Sequence, residues 1–437
     1  MRNTLFSGII ILLSILFASC SSEPDVHNAA RNGDLKRIKV YVQEGGKVDS
    51  LTDNEDSILS YAALGGQVEV MRYLIVKGAD ERRWNNGEAL IHTATRSKNV
   101  NAVKILLNRG ANVNSRIMSD SLRGEADAGQ TPLLIAAKEL DYPMAAYLIS
   151  RGAHVNVKDE YGHTPLITAN FYSNGSFPSN REQIFSLVKL LVENGADVNL
   201  ADKTGSTPIA LAALTGHKVV VEYLIQKGAD INKRGENGNT AFSYAALDAN
   251  KALCEYLITL GARPNDRLDD GSTVLMQSID SNNVDFLRWL ILTFKYNIQD
   301  RDTSGHTLLM YTVGSREMET TAFVVNELKM DVNASDSKGV TPLMLAAAGV
   351  DLDKIKFLVE KGSRVNVQDQ KGLTPIMYIA QHAQVGDSGP GNDVACYNAI
   401  KYLMEHGGRT DTKNKAGLRA VDYVSDKPFP ELITLLR

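Results

Sequence analysis

The residue types that could do chemistry in this chain of 437 residues are few and scattered. Gly386-Asp387-Ser388-Gly389-Pro390 sets a serine between an aspartate and a glycine, surroundings in which a hydroxyl can serve as a nucleophile. A nucleophile also needs a base and an oxyanion hole held rigidly, and the flanking residues read as a loop between two helices. Asp300, Asp302, Ser304 and Gly305 begin like a calcium loop, but Tyr311 stands where the closing bidentate glutamate belongs. His92, His154, His163, His217, His306 and His382 are spread along the chain rather than gathered. There is no His-Glu-x-x-His segment, no paired-cysteine cluster and no phosphate-binding glycine loop. The expectation is a chain that is not an enzyme, with no metal, no cofactor and no small-molecule substrate.

The elements that hold these residues are set by composition and period. Charged residues make up 22% and hydrophobic residues 43%, ordinary for a folded protein, and the formal net charge is −4. Without a basic excess to neutralise phosphates, nucleic acid is not an expected partner. The glycines Gly87, Gly129, Gly162, Gly205, Gly238, Gly271, Gly305, Gly339, Gly372 and Gly417 recur at steps of 42, 33, 43, 33, 33, 34, 34, 33 and 45. The long steps are one period plus an insertion. Such a period marks a repeat array, in which each unit buries its apolar face against its neighbours. Two earlier units fit the frame, one with Glu55 in the glycine's place and one a helical half-unit from Val26 to Ser50.

One unit, Gly205 to Asn232, shows the design. Thr207 is a good N-cap and Pro208 suits the first helical turn. Ile209, Leu211, Ala212 and Ala213 line a short helix. Gly216-His217 breaks it, and Val220, Val221, Leu224 and Ile225 recur at the spacing of a second helix. Gly228 then supplies a left-handed cap, and Ala229-Asp230-Ile231-Asn232 leads into a tight hairpin. The segments TPLLIAA (131–137), TPLMLAA (341–347), GANVN (110–114), GAHVN (152–156) and GADVN (195–199) resemble the ankyrin repeat. The resemblance covers residues 26–437. It implies an all-α repeat solenoid of ankyrin repeats, helix-turn-helix plus β-hairpin, in about a dozen units with capping units at both ends. The last cap loses the Thr-Pro and holds Pro428 and Pro430.

The N-terminus has another character. Arg2 precedes the apolar run Leu5–Phe17, too short to span a bilayer as a helix but the length of a signal-peptide core. It ends in Phe17-Ala18-Ser19-Cys20, and the LFASC segment resembles the lipobox of bacterial lipoproteins, with Phe17 where that family usually has Leu. That resemblance implies a signal peptide over 1–19, a lipidated (palmitate-type) Cys20 with a short linker over 20–25, and a solenoid held at the cell membrane or outer membrane, in the periplasm or on the surface. Cys254 and Cys396 lie about four repeats apart. Layers about 10 Å thick keep them beyond disulfide reach, so both read as small buried residues.

The ankyrin resemblance implies a groove that binds another protein. Its positions in the fifth unit are Glu160, Tyr161, His163, Phe171 and Tyr172. Leu214 and Leu247 hold the corresponding place in the next two units, and Trp84 sits in the third unit's hairpin. Aromatic anchors often dominate interface energetics, so Trp84, Tyr161, His163, Phe171, Tyr172, Leu214 and Leu247 are the candidate partner-binding residues; for Phe171, Tyr172 and Trp84, packing within the array is the equal alternative. Insertions at 115–127, 173–181 and 384–393 read as loops, the last two flexible. The function expected is a membrane-anchored scaffold in the cell envelope; the alternative is an immunity or inhibitor protein that neutralises one toxin or enzyme. Units seven to nine lack the Pro (Thr240-Ala241, Thr273-Val274, Thr307-Leu308), and Phe294-Lys295-Tyr296-Asn297 replaces Gly-Ala-Asp, which predicts the weakest stretch of the array.

Overall fold

The computed structural model describes residues 23–437 apart from 86, 119–126, 172–179, 316, 386–389 and 426–429. The expected signal peptide at 1–19, Cys20, Tyr172 and the segment 386–389 therefore lie outside the described residues, as does the side chain of Phe171. Short and longer helices alternate along the chain, joined to the next pair by finger-like turns. The chain divides into two compact units, one ending at Asp230 and the other beginning at Ile231.

In the first unit the helix Pro208–Leu214 shows how the local signals work. Thr207 accepts a hydrogen bond from Ala210 N–H at 3.3 Å, and Pro208 occupies the first turn, where it has no N–H to leave unpaired. Every residue from Pro208 to Ala213 is buried. The alanines bring helices close, and the second helix, Lys218–Gln226, covers them with Val220, Val221 and Leu224. Gly228, at φ +89°, turns the chain out of that helix. A short helix likewise pairs with a following one in Ile58–Leu64 with Val68–Val76, Leu90–Arg96 with Val100–Asn108, Pro132–Lys138 with Tyr142–Ser150 and Pro165–Phe171 with Arg181–Glu193; Ser57 caps the first of these without a proline, and Ala89 starts the second with no side-chain cap.

One residue type fastens each turn to the next unit. Asn199 donates from Nδ2 to Gly228 O at 3.0 Å and accepts from Asp230 N–H at 2.9 Å. Asn114 does the same to Gly152 and His154, and Asn156 to Gly195 and Asp197. In the second unit Asn232, Asn333 and Asn366 repeat the bond pair. An amide side chain holds both a donor and an acceptor, so it satisfies a carbonyl and an N–H of the facing turn at once.

The fingers differ from the hairpins expected. Among the described residues only Trp84–Asn85 and Glu88–Ala89 form paired strands, with isolated bridges at Leu51–Ser57 and Arg301–Thr307. The arms are too short for a ladder within one finger. A carboxylate closes several of the turns instead: Asp202 Oδ1 accepts from Thr204 N–H and Ser206 N–H, both at 2.9 Å. Asp336 and Asp369 act alike.

Three further differences are local. The first described helix, Glu23–Asn32, starts inside the stretch expected to be linker, because Glu23 and Pro24 suit a first turn. The insertion expected as a flexible loop at 384–393 is helical in its described residues: 384–385 end the helix Pro375–Val385, and 390–393 open Pro390–Glu405, which begins with a proline. In the second unit Thr240 and Thr273 cap without a following proline, but Thr307 makes no cap bond. Val274–Gln277 is one turn of α-helix running into 3-10 geometry, and Lys295 takes the left-handed cap at φ +53° where glycine would be unstrained. Support comes from the following pair. The buried Lys354 donates to the carbonyls of Val313 and Ser315, at the end of the helix Leu308–Gly314, and pairs with Asp351 at 3.3 Å. Cys254 and Cys396 are buried and in no disulfide, as expected, and burial pushes the Cys254 thiol up to about 12.

Asn199→Ala should make the Asp230 amide exchange about five- to tenfold faster, the loss of one neutral hydrogen bond. Amides of Val274–Gln277 and Leu308–Gly314 should exchange faster than those of Pro208–Leu214 and Pro342–Ala348. Equal protection across these helices would refute the weak-stretch expectation.

Candidate interaction surface

The fingers present side chains from a backbone that adjacent units lock together. In the first unit Glu160 N–H donates to Ala128 O at 3.2 Å and Lys203 N–H to Tyr161 O at 2.9 Å. In the second, Thr303 N–H donates to Asp270 O, Ser337 N–H to Ser304 O, Gln370 N–H to Lys338 O and Lys415 N–H to Lys371 O. Pairing that a single finger is too short to make runs across neighbouring fingers instead. Close approach explains the glycine of the period: a Cβ on Gly162 would lie 2.7 Å from Lys203 N, and Gly162 has φ +83°.

On this frame the candidate residues separate by role. Tyr161 is 42% exposed, with its ring stacked on His163 at a centroid distance of 5.7 Å. His163 itself is half-buried between two carboxylates, Nδ1 at 3.1 Å from Asp159 and Nε2 at 3.9 Å from Asp202. It joins one finger to the next and supports Tyr161 from behind. His306 is placed the same way between Asp302 and Asp336. The segment that begins like a calcium loop is thus engaged internally: Asp302 accepts from Ser304 N–H, His306 N–H and the Tyr311 hydroxyl, and Asp300 pairs with Arg267. Burial and the Asp302 carboxylate raise the Tyr311 phenol above its usual range. Among the described residues no group of histidine, cysteine, aspartate and glutamate side chains could hold a metal ion.

Trp84 is also 42% exposed, on the strand paired with Glu88–Ala89. A depression of about 250 Å³ lies beside it, lined by Glu81, Leu90, Leu106 and Arg109 among others. The strand that pairs with Trp84 is held by a charged network. Glu88 is buried and meets Arg96 at 2.7 Å, Arg96 reaches Asp127 at 3.6 Å, and Lys138 reaches the same Asp127 at 3.2 Å. His92 sits above this network. Its Nδ1 accepts from Ala89 N–H at 3.1 Å and its Nε2 meets Ser115 O at 2.9 Å, so the ring links the hairpin to the start of the following insertion. Burial lowers its pKa below the ordinary 6.5.

Leu214 and Leu247 end the helices Pro208–Leu214 and Ala241–Leu247 and are half-buried, one in each compact unit. Phe171 ends the helix Pro165–Phe171. Met118 is 50% exposed and its N–H donates to Gly87 O beside the Trp84 hairpin. Its one sequence signal is an apolar residue within a polar insertion.

Comparison with known proteins gives the same architecture. The model for ankyrin repeats in three copies matches residues 26–117, 179–268, 249–336, 275–369 and 318–414, and the single ankyrin repeat model matches 128–160. The Danio rerio protein ZDHHC13, named as a palmitoyltransferase, is 30% identical over 162 residues, 37% of this chain and 24% of that protein. The Caenorhabditis elegans homologue of transient receptor potential cation channel subfamily A member 1 is 27% identical over 157 residues, 35% of this chain and 12% of that protein. The chain thus spans a quarter or less of the length of these relatives. The human ASB11 ankyrin repeat domain superposes with a TM-score of 0.46 at 25% identity, covering 55% of this chain and 98% of that one.

A neutral His92 is favoured by the fold, so the unfolded chain binds the proton more readily and stability falls as pH drops through 6.5. The thermal midpoint of the wild type should therefore fall more between pH 7.5 and 5.5 than that of His92→Gln. Parallel profiles would show that this ring does not contribute.

Proposed function

The chain belongs to the ankyrin repeat family, and from that premise we propose that it is a membrane-anchored scaffold of a bacterial cell envelope that captures one partner protein on its finger surface. Ankyrin repeats act as scaffolds for protein–protein interaction. The observation that carries the reading here is the exposure of two aromatic side chains, Trp84 and Tyr161, on backbone fixed by hydrogen bonds. Rigid aromatics bury much area with little loss of rotamer freedom, so a surface that presents them in place binds without a large ordering cost. The array is read as about a dozen units, and the role as non-catalytic.

The anchor rests on the residues before the first helix. The run Leu5–Phe17 and Cys20 give a signal-peptide core and an acylation site, and several acyl chains on one cysteine hold a protein firmly. Among the described residues no helix is long and apolar enough to cross a membrane, and the lipid at Cys20 would supply the attachment.

Crosslinking in intact envelopes, followed by purification, compares the wild type with Trp84→Ala/Tyr161→Ala. The expected outcome is one protein recovered with the wild type and reduced at least tenfold with the double variant, whose thermal midpoint stays within about 2 °C because both side chains are exposed. Equal recovery with both would remove the fingers as the binding surface. Metabolic labelling with a fatty acid should mark the wild type and not Cys20→Ala.

A further inference from the structure

The outer face of the second helices changes character along the first compact unit. In Leu35–Gln43, Val68–Val76 and Val100–Asn108 the fifth residue is Lys39, Arg72 and Lys104, each exposed. Lys36, Arg37 and Lys77 widen this row. The sixth residue of each helix is apolar or aromatic: Val40, Tyr73 and Ile105. Val76 is 82% exposed and Val40 49%. Lys39 and Lys77 lie over the Tyr73 ring at 5.9 and 5.8 Å, so cation and apolar surface are interleaved. A groove of about 400 Å³ between the last two helices is lined by Arg72, Val76, Lys104 and Ile105, among others. Acid is sparse on this face: Glu69 stands 3.8 Å from Arg72, with both side chains largely exposed, and Glu44 ends the helix Leu35–Gln43.

Later in the same unit the outer face is balanced. Lys189 pairs with Glu193 and Lys218 with Glu222, each at 3.8 Å one helical turn apart. That is the ordinary solvated helix surface. The unbalanced basic face belongs to helices that follow the N-terminal apolar run closely in sequence, and only two residues separate Cys20 from the helix that begins at Glu23.

We propose that this outer face, with Lys39, Arg72 and Lys104 at its centre and Val40 and Val76 exposed beside them, lies against an anionic lipid surface. The inference rests on the reading of Cys20 as the anchor and adds an orientation to it. Each basic residue near an anionic membrane contributes about fivefold to binding, and the contribution is lost when salt screens it. Exposed valines among the lysines enter the headgroup layer as the apolar side of an interfacial helix does. The fingers are then left to face the partner.

The test uses the full lipidated protein on vesicles of phosphatidylcholine with or without phosphatidylglycerol, both doped with nitroxide lipid as quencher. A fluorophore is placed by Val76→Cys or, as control on an exposed finger, by Thr204→Cys; Cys254 and Cys396 are buried. The expected result is quenching at position 76 several times that at 204 on phosphatidylglycerol vesicles. It should disappear on pure phosphatidylcholine, in about 0.5 M salt, and in Lys39→Glu/Arg72→Glu/Lys104→Glu, while the protein stays on the vesicles. Equal quenching at 76 and 204 with the protein retained overturns the docking face and leaves the anchor standing. Quenching at 76 that ignores phosphatidylglycerol and charge reversal also overturns it. Release of the protein from every vesicle in high salt overturns the anchor; quenching at 76 seen below that salt would still support the face. Protection of position 76 by an added acidic envelope protein, without lipid quenching, would assign the face to that protein instead.

Discussion

The constraint on which the array depends is the need of each turn after a second helix to satisfy its own backbone. That turn leaves a glycine carbonyl and an N–H two residues later facing the preceding unit. Asn114, Asn156 and Asn199 in the first compact unit, and Asn232, Asn333 and Asn366 in the second, each meet both with one amide. Helix burial alone would let neighbouring units slide, because alanine and leucine surfaces are not directional. A paired donor and acceptor fixes register. The glycine at φ near +90° is part of the same device, since it sets the carbonyl where the amide can reach it.

Fixed register explains how the fingers can be short. Most fingers make almost no ladder of their own, and in several an aspartate closes the turn from within. Because adjacent units are held in register, successive fingers then bond backbone to backbone. His163 and His306 extend this from backbone to side chain by standing between the aspartates of two consecutive fingers. The exposed Tyr161 is stacked on one of these rings, and Trp84 stands on a hairpin tied through His92 and the Glu88–Arg96 pair. Exposed aromatic side chains are thus carried on elements that are rigid because of their neighbours.

The array also tolerates lapses where a neighbour compensates. Thr307 lacks both a following proline and a cap bond, and the helix it begins ends in a stretch far from the repeat pattern. Lys354, from the next pair, reaches back to the carbonyls of Val313 and Ser315. A cation at a helix C-terminus is favourable, and burial is tolerated because Asp351 is within 3.3 Å.

Much of the fold was legible in the residues themselves. A period of 33 or 34, Thr-Pro at helix starts and Gly-Ala-Asp at helix ends specify helix pairs locally, since capping, proline geometry and left-handed turns are decided within a few residues. Tyr161 was legible for the same reason, its place in the frame being fixed by the adjacent Gly162, and Trp84 as a residue of the third unit's hairpin. The tertiary structure alone decided what each polar side chain meets. His163 is in a groove position by its place in the repeat, yet two aspartates 43 residues apart enclose it. Asn199 has the place of a turn residue, yet its partners are 29 and 31 residues on. Lys354 looks like a surface lysine until the preceding unit is seen to bury it. The outer basic face became visible only when residues about 33 apart were set side by side on packed helices. Local conformation is a short-range matter that the chain determines by itself; hydrogen-bond partners, burial and the sign of a surface belong to residues that meet only after the units have stacked.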